Sequence, residues 1–82
     1  MNPKKLLERI RKDRENVDFR DFIRLVEKFG FQSIGTKGSH HRYFKVGIPE
    51  TLNLQPKNGE GIAYQIADFL RIIDKNGMKL KG

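Results

Sequence analysis

The chain has 82 residues, no cysteine, and 17 Lys+Arg against 10 Asp+Glu, a formal charge of +7. That length holds one domain with one modest core and excludes two; without cysteine there is no disulfide framework, thiolate nucleophile or Cys-based metal site. No apolar run exceeds three residues, too few to span a bilayer or form a signal-peptide core, so a soluble cytoplasmic domain with a polyanionic partner is expected.

Pro3 suits a first helical turn, with Asn2 before it as a cap, and Leu6, Leu7 and Ile10 recur at helical spacing. This short first helix is expected to end near Asp13 to Asn16. A second helix starts at Asp18, which caps it, with Asp21 near the positive end of its dipole. Phe22, Ile23, Val26 and Phe29 form its apolar face, Phe19 extends the stripe backwards, and Gly30 stops it. The period then changes from helical to alternating. Phe31 to Thr36 reads as a strand, Gly35-Thr36-Lys37-Gly38 as a turn, and Ser39 to Val46 as a second strand. Gly47-Ile48-Pro49 interrupts the pattern, and Glu50 to Gln55 resumes it as a third strand. Pro56 to Gly61 reads as a glycine-containing loop. The last helix runs from about Ile62 to Lys75, with Ile66, Phe69, Leu70 and Ile73 on one face and Ala63 and Ala67 allowing close approach; Asn76-Gly77 ends it.

The order helix, helix, three strands, helix implies an α+β domain with an antiparallel meander, its helices on one face and the other face open. That is the arrangement of a double-stranded-RNA-binding domain with an extra N-terminal helix. The whole chain, 1–82, is one domain: 1–16 the extra helix, 18–75 the core, 76–82 a tail.

Residues 1–30 carry nine basic and six acidic side chains, 31–60 four and two, and 61–82 four and two, so no basic block dominates. A generally basic, solvating surface is one reading; a nucleic-acid interface needs the fold to gather these charges. The two histidines are adjacent, His40 and His41, after a Gly-Ser step and between Lys37 and Arg42. Histidine suits proton transfer at neutral pH, and the flanking cations suit phosphate. Neighbours in a strand point to opposite faces, so the pair is not expected to grip one metal ion or to act as acid and base on one phosphate. No further His or Cys completes a metal site, so neither metal nor cofactor is expected. One histidine then faces the open surface, while the other packs or serves as a second contact. Gly35-Thr36-Lys37-Gly38 has the GXXG spacing of KH domains, but lies between strands where that loop joins helices. It lacks the long glycine spacing and Lys-Ser/Thr ending of a P-loop. Asp18 and Asp21 read as helix-start residues, not catalytic carboxylates.

On these residues the chain resembles the HicA family of toxins of toxin–antitoxin systems. Phe22 to Phe31 (FIRLVEKFGF) is similar to the family's first core helix and Gly-Phe entry into the sheet. Lys37 to His41 (KGSHH) resembles its signature, Leu52 to Gln55 its third strand, and Tyr64-Gln65-Ile66 the start of its last helix. The leading segment Asn2 to Leu7 is like that of a longer subgroup. Lys45-Val46-Gly47 stands where many relatives have His-Pro, and Ile62-Ala63 where relatives of that subgroup have Lys-Pro.

The resemblance implies a double-stranded-RNA-binding-like fold and a ribonuclease that cleaves messenger RNA and stops translation. Its catalytic histidine, the one after Gly-Ser, falls on His40. Lys37, Gly38, Ser39, His41 and Arg42 are the expected RNA contacts. A HicB-type antitoxin would cover His40, and operator DNA would be reached only through that antitoxin. Two other readings stand beside this one. The first is a non-catalytic RNA-binding or translational-regulatory module on the same fold; the second is a basic subunit whose partner is an acidic protein.

Overall fold

The structure, a computed structural model, describes residues 1–80; positions 81 and 82 of the expected tail lie outside the described residues. Helix α1 spans Pro3–Lys12 and begins as its sequence demands: Asn2 Oδ1 accepts the Lys5 N–H at 3.2 Å. Helix α2 spans Phe19–Lys28, and Asp18 Oδ1 accepts the Asp21 N–H at 3.0 Å. Helix α3 spans Ala63–Lys75. Its end is closed by two backbone bonds, Gly77 N–H to the Asp74 carbonyl and Met78 N–H to the Ile73 carbonyl, which satisfy two otherwise orphaned acceptors.

Strands β1 (Gln32–Lys37), β2 (His40–Phe44) and β3 (Leu52–Leu54) form an antiparallel sheet in the order β1-β2-β3. The α+β meander expected from the sequence is therefore present, with α1 as the extra leading helix. Its strand limits differ. The turn is Gly38-Ser39, not Gly35 to Gly38: Lys37 belongs to β1, opposite His40, and Ser39 belongs to the turn. Gly38 has φ of 61° while Ser39 does not have positive φ, the pattern of a two-residue hairpin loop with glycine first. Val46 leaves the second strand and is 84% exposed. The third strand contracts to Leu52–Leu54 because only these residues face β2, whose pairs are His41↔Leu54, Arg42↔Asn53 and Tyr43↔Leu52. Phe31 precedes β1 and is buried.

The expected loop from Pro56 to Gly61 is in fact a second small hairpin, β4 (Pro56–Lys57) with β5 (Glu60–Gly61). Asn58 and Gly59 both have positive φ (54° and 77°), the loop whose twist matches its flanking strands. This hairpin is pinned to the segment before α2: Phe19 N–H donates to the Gly59 carbonyl at 3.0 Å, and Gly61 N–H to that of Val17 at 2.8 Å.

The core lies between the helices and the inner face of the sheet. Phe69 of α3, with no exposed surface, sits among Phe22, Phe29 and Phe31 at ring-centroid separations of 5.5, 5.6 and 6.2 Å. Tyr43, Leu52 and Leu54 close it from the sheet, and Leu6 and Ile10 of α1 extend it past α2. Leu25 is fully buried on α2, whereas Ile23, expected on that face, is only half-buried. No helix among the described residues is long and apolar enough to cross a membrane.

Candidate functional site

The β1–β2 hairpin carries the site, and its register decides which side chains share a face. Cross-strand partners lie on the same face of a sheet, with Cβ atoms about 4.5–5.5 Å apart. Lys37 is the partner of His40, Gly35 of Arg42, and Arg42 in turn of Asn53 on β3. Along β2, burial alternates: His40 and Arg42 are exposed, while His41 is half-buried and Tyr43 buried. His40, Lys37, Arg42 and Asn53 therefore stand together on the open face. Gly35 has nothing within 4 Å of where a Cβ would be, so the position opposite Arg42 is a notch in the wall of side chains. Among the described residues no hydrogen bond or ion pair engages the side chains of Lys37, His40 or Arg42.

His41 is not brought to that site. Its ring faces the helices and meets Phe19 at a centroid distance of 5.2 Å. A bulge does occur, but in β1 between Ser33 and Gly35, with Ser33 Oγ accepting the Gly35 N–H at 3.3 Å. The alternation of β2 survives, and the two histidines remain on opposite faces. Tyr43 is also directed inward, and burial, together with the charge of Glu27, pushes its phenol above the ordinary value. It is no proton donor to the outer face. The described residues hold no group of three or more His, Asp or Glu side chains arranged for a metal ion.

None of the ion pairs among the described residues involves a side chain of this site. Arg11 pairs with Asp74, Arg24 with Asp21, Arg71 with Asp68 and Lys75 with Glu50, all on or beside the helices. From residue 28 to residue 49 the chain has no acidic side chain and carries Lys28, Lys37, Arg42 and Lys45 with both histidines. That acid-free run was the signal in the sequence; counting charge by thirds of the chain conceals it. Asn53 had no sequence signal as part of this face, because only strand pairing places it beside Arg42.

An antiparallel sheet covered on one side by helices, with an exposed histidine among unpaired cations on the other, makes a small α+β protein whose architecture is compatible with a double-stranded-RNA-binding-like fold. The model of the family described as HicA toxin of bacterial toxin-antitoxin matches residues 19–63, over half of the chain. The chain belongs to the HicA toxin family, and as a toxin of that kind it has a cognate antitoxin as partner. No curated protein and no solved structure matches it.

Proposed function

We propose that this toxin is a ribonuclease that cleaves messenger RNA, with His40 as general base and no metal ion. The observation that carries the reading is the placement of His40: exposed on the open face, opposite Lys37 and next on that face to Arg42. His40 takes the proton of a ribose 2′-hydroxyl. The 2′ oxygen attacks the adjacent phosphorus, the bond from phosphorus to the 5′ oxygen breaks, and that oxygen takes a proton from solvent. The products are a 2′,3′-cyclic phosphate and a 5′-hydroxyl end. Lys37 and Arg42 hold the phosphate and oppose the charge that grows on it, and the N–H groups of Gly38 and Ser39 lie at the same hairpin tip. His41 supports the strand from behind, against Phe19.

One positioned acid–base group contributes about 10²–10⁴-fold, and a toxin that needs few cuts per message requires little more. A HicB-type antitoxin seated on the open face would cover His40 and silence the enzyme. The test is purified His40→Ala: loss of RNA cleavage with an unchanged melting curve supports the assignment, and retained cleavage removes it. Cleavage by the unaltered chain must also survive a chelator. RNA binding by the unaltered chain with no cleavage under any condition would identify a binding module instead.

A further inference from the structure

Three lysines from separate parts of the chain meet at the base of the β1–β2 hairpin. Lys28 closes α2, Lys45 follows β2, and Lys79 lies beyond the end of α3. With Phe29, Gly30 and Met78 they line a shallow pocket of about 190 Å³. The Lys45 ammonium passes so close over Gly30 that a Cβ there would stand 2.5 Å from it. None of the three lysines forms an ion pair among the described residues, although five such pairs form elsewhere. Carbonyls at the end of α2 offset part of their mutual repulsion. No acidic side chain lines this pocket, although Lys28 also borders a second hollow lined by Glu8, so among the described residues three like charges gather here without an ion pair.

The pocket is continuous with the open face. Gly30 and Lys45 also wall a neighbouring pocket of about 170 Å³ with Gln32, Phe44 and Val46. Gln32 and Phe44 are cross-strand partners, and Phe44 alternates with His40 and Arg42 on the outer side of β2. Lys45 is five residues from His40, about 17 Å along an extended chain at ~3.4 Å per residue. A flexible polyanion laid along this face would meet cations at both ends and a half-buried aromatic ring between them. Cations at intervals with an aromatic between them are how single-stranded nucleic acid is held: phosphates on the charges, bases on the rings.

We infer that the Lys28, Lys45 and Lys79 pocket is a second phosphate-binding site, which holds the backbone of a single-stranded RNA a few nucleotides from the linkage at His40. The inference takes from the proposed function which nucleic acid is bound and where it is cut; the pocket itself does not depend on that reading. An acidic protein surface would satisfy the lysines, but would make no use of the aromatic step that joins them to His40.

The experiment uses the full chain carrying His40→Ala, so that RNA stays intact, and measures binding of a single-stranded RNA across a salt series. With Lys28→Gln, Lys45→Gln and Lys79→Gln combined, the slope of log affinity against log salt should become shallower by about 0.7 for each phosphate no longer neutralised. Affinity at low salt should fall tenfold or more. The same three positions changed to arginine should restore both. A charge-matched control, Lys5→Gln, Lys12→Gln and Arg14→Gln, should keep the parent slope. An unchanged slope in the triple lysine variant, or an equal loss in the control, overturns the site. Loss of polyglutamate binding with RNA binding intact would assign the pocket to an acidic protein and overturn it too. In the chain that retains His40, the triple variant should raise KM and spare kcat. The two readings thus fail separately: a chain that never cleaves RNA can still show the lysine-dependent slope, and a cleaving chain can lack it.

Discussion

Replacing His40 and His41 one at a time should produce opposite outcomes from neighbouring positions. His40 is exposed and makes no side-chain hydrogen bond among the described residues, so His40→Ala should change stability by less than about 0.5 kcal/mol. It should lower the cleavage rate by about 10²–10⁴-fold. His41 is half-buried with its ring 5.2 Å from that of Phe19, and an aromatic pair of this kind contributes about 0.5–1.5 kcal/mol. A loss near 1 kcal/mol lowers Tm by about 4–8 °C in a domain of this size. His41→Ala should therefore melt several degrees earlier while cleaving RNA at a near-normal rate well below that temperature. The assay pairs a circular-dichroism melt with single-turnover cleavage of end-labelled RNA. Abolished cleavage in His41→Ala with an unaltered melt would refute the assignment of faces. So would a destabilised His40→Ala that still cleaves.

Phe69→Ala removes the ring that meets Phe22, Phe29 and Phe31 from a fully buried position. The cost should be about 3–5 kcal/mol against a total of about 4–12 kcal/mol for a chain of this length, seen as loss of most of the urea transition. Gly38→Ala forces a φ of 61° on a residue with a Cβ, at about 1–2 kcal/mol. It should lower both Tm and cleavage, because the turn sets the Lys37–His40 pair. Arg11 donates two hydrogen bonds to the Asp74 carboxylate, at 2.8 and 2.9 Å, and holds its pKa below the ordinary value. A lowered native pKa adds stability that is complete above the unfolded-state value and is lost as pH falls through the native one. For an exposed, screened pair the effect is small, so Arg11→Ala should cost about 0.2–1 kcal/mol at pH 7. That cost should shrink as pH falls through the lowered native pKa of Asp74, by urea denaturation across a pH series.

Much of this domain was legible because its signals are local. Asn2 and Asp18 announce helix starts by chemistry that acts within one turn, and both cap as expected. The change from helical to alternating period after Gly30 marked the entry into the sheet. The alternation of β2 alone separated His40 from His41. The β4–β5 hairpin was less visible, since two-residue strands are too short to show a period, although Asn58-Gly59 is itself a hairpin signal. Val17 is completely buried without belonging to any periodic segment. It is held there by the backbone bond from Gly61, a contact between distant parts of the chain.

The sequence by itself determined the order of elements, the basic character of the surface, and the histidine pair as the leading candidate for catalysis in a chain without cysteine. Those follow from composition and from interactions spanning a few residues. Tertiary structure decided the rest. Helices packed on Tyr43, Leu52 and Leu54 turned His41 toward Phe19 and left His40 in the open. Strand pairing gathered Lys37, His40 and Arg42 onto one open face, within a stretch from residue 28 to residue 49 that carries no acid. Lys28, Lys45 and Lys79 became neighbours only because the ends of α2, β2 and α3 converge. Which residues meet across such distances depends on how whole faces are buried, and no local pattern records it.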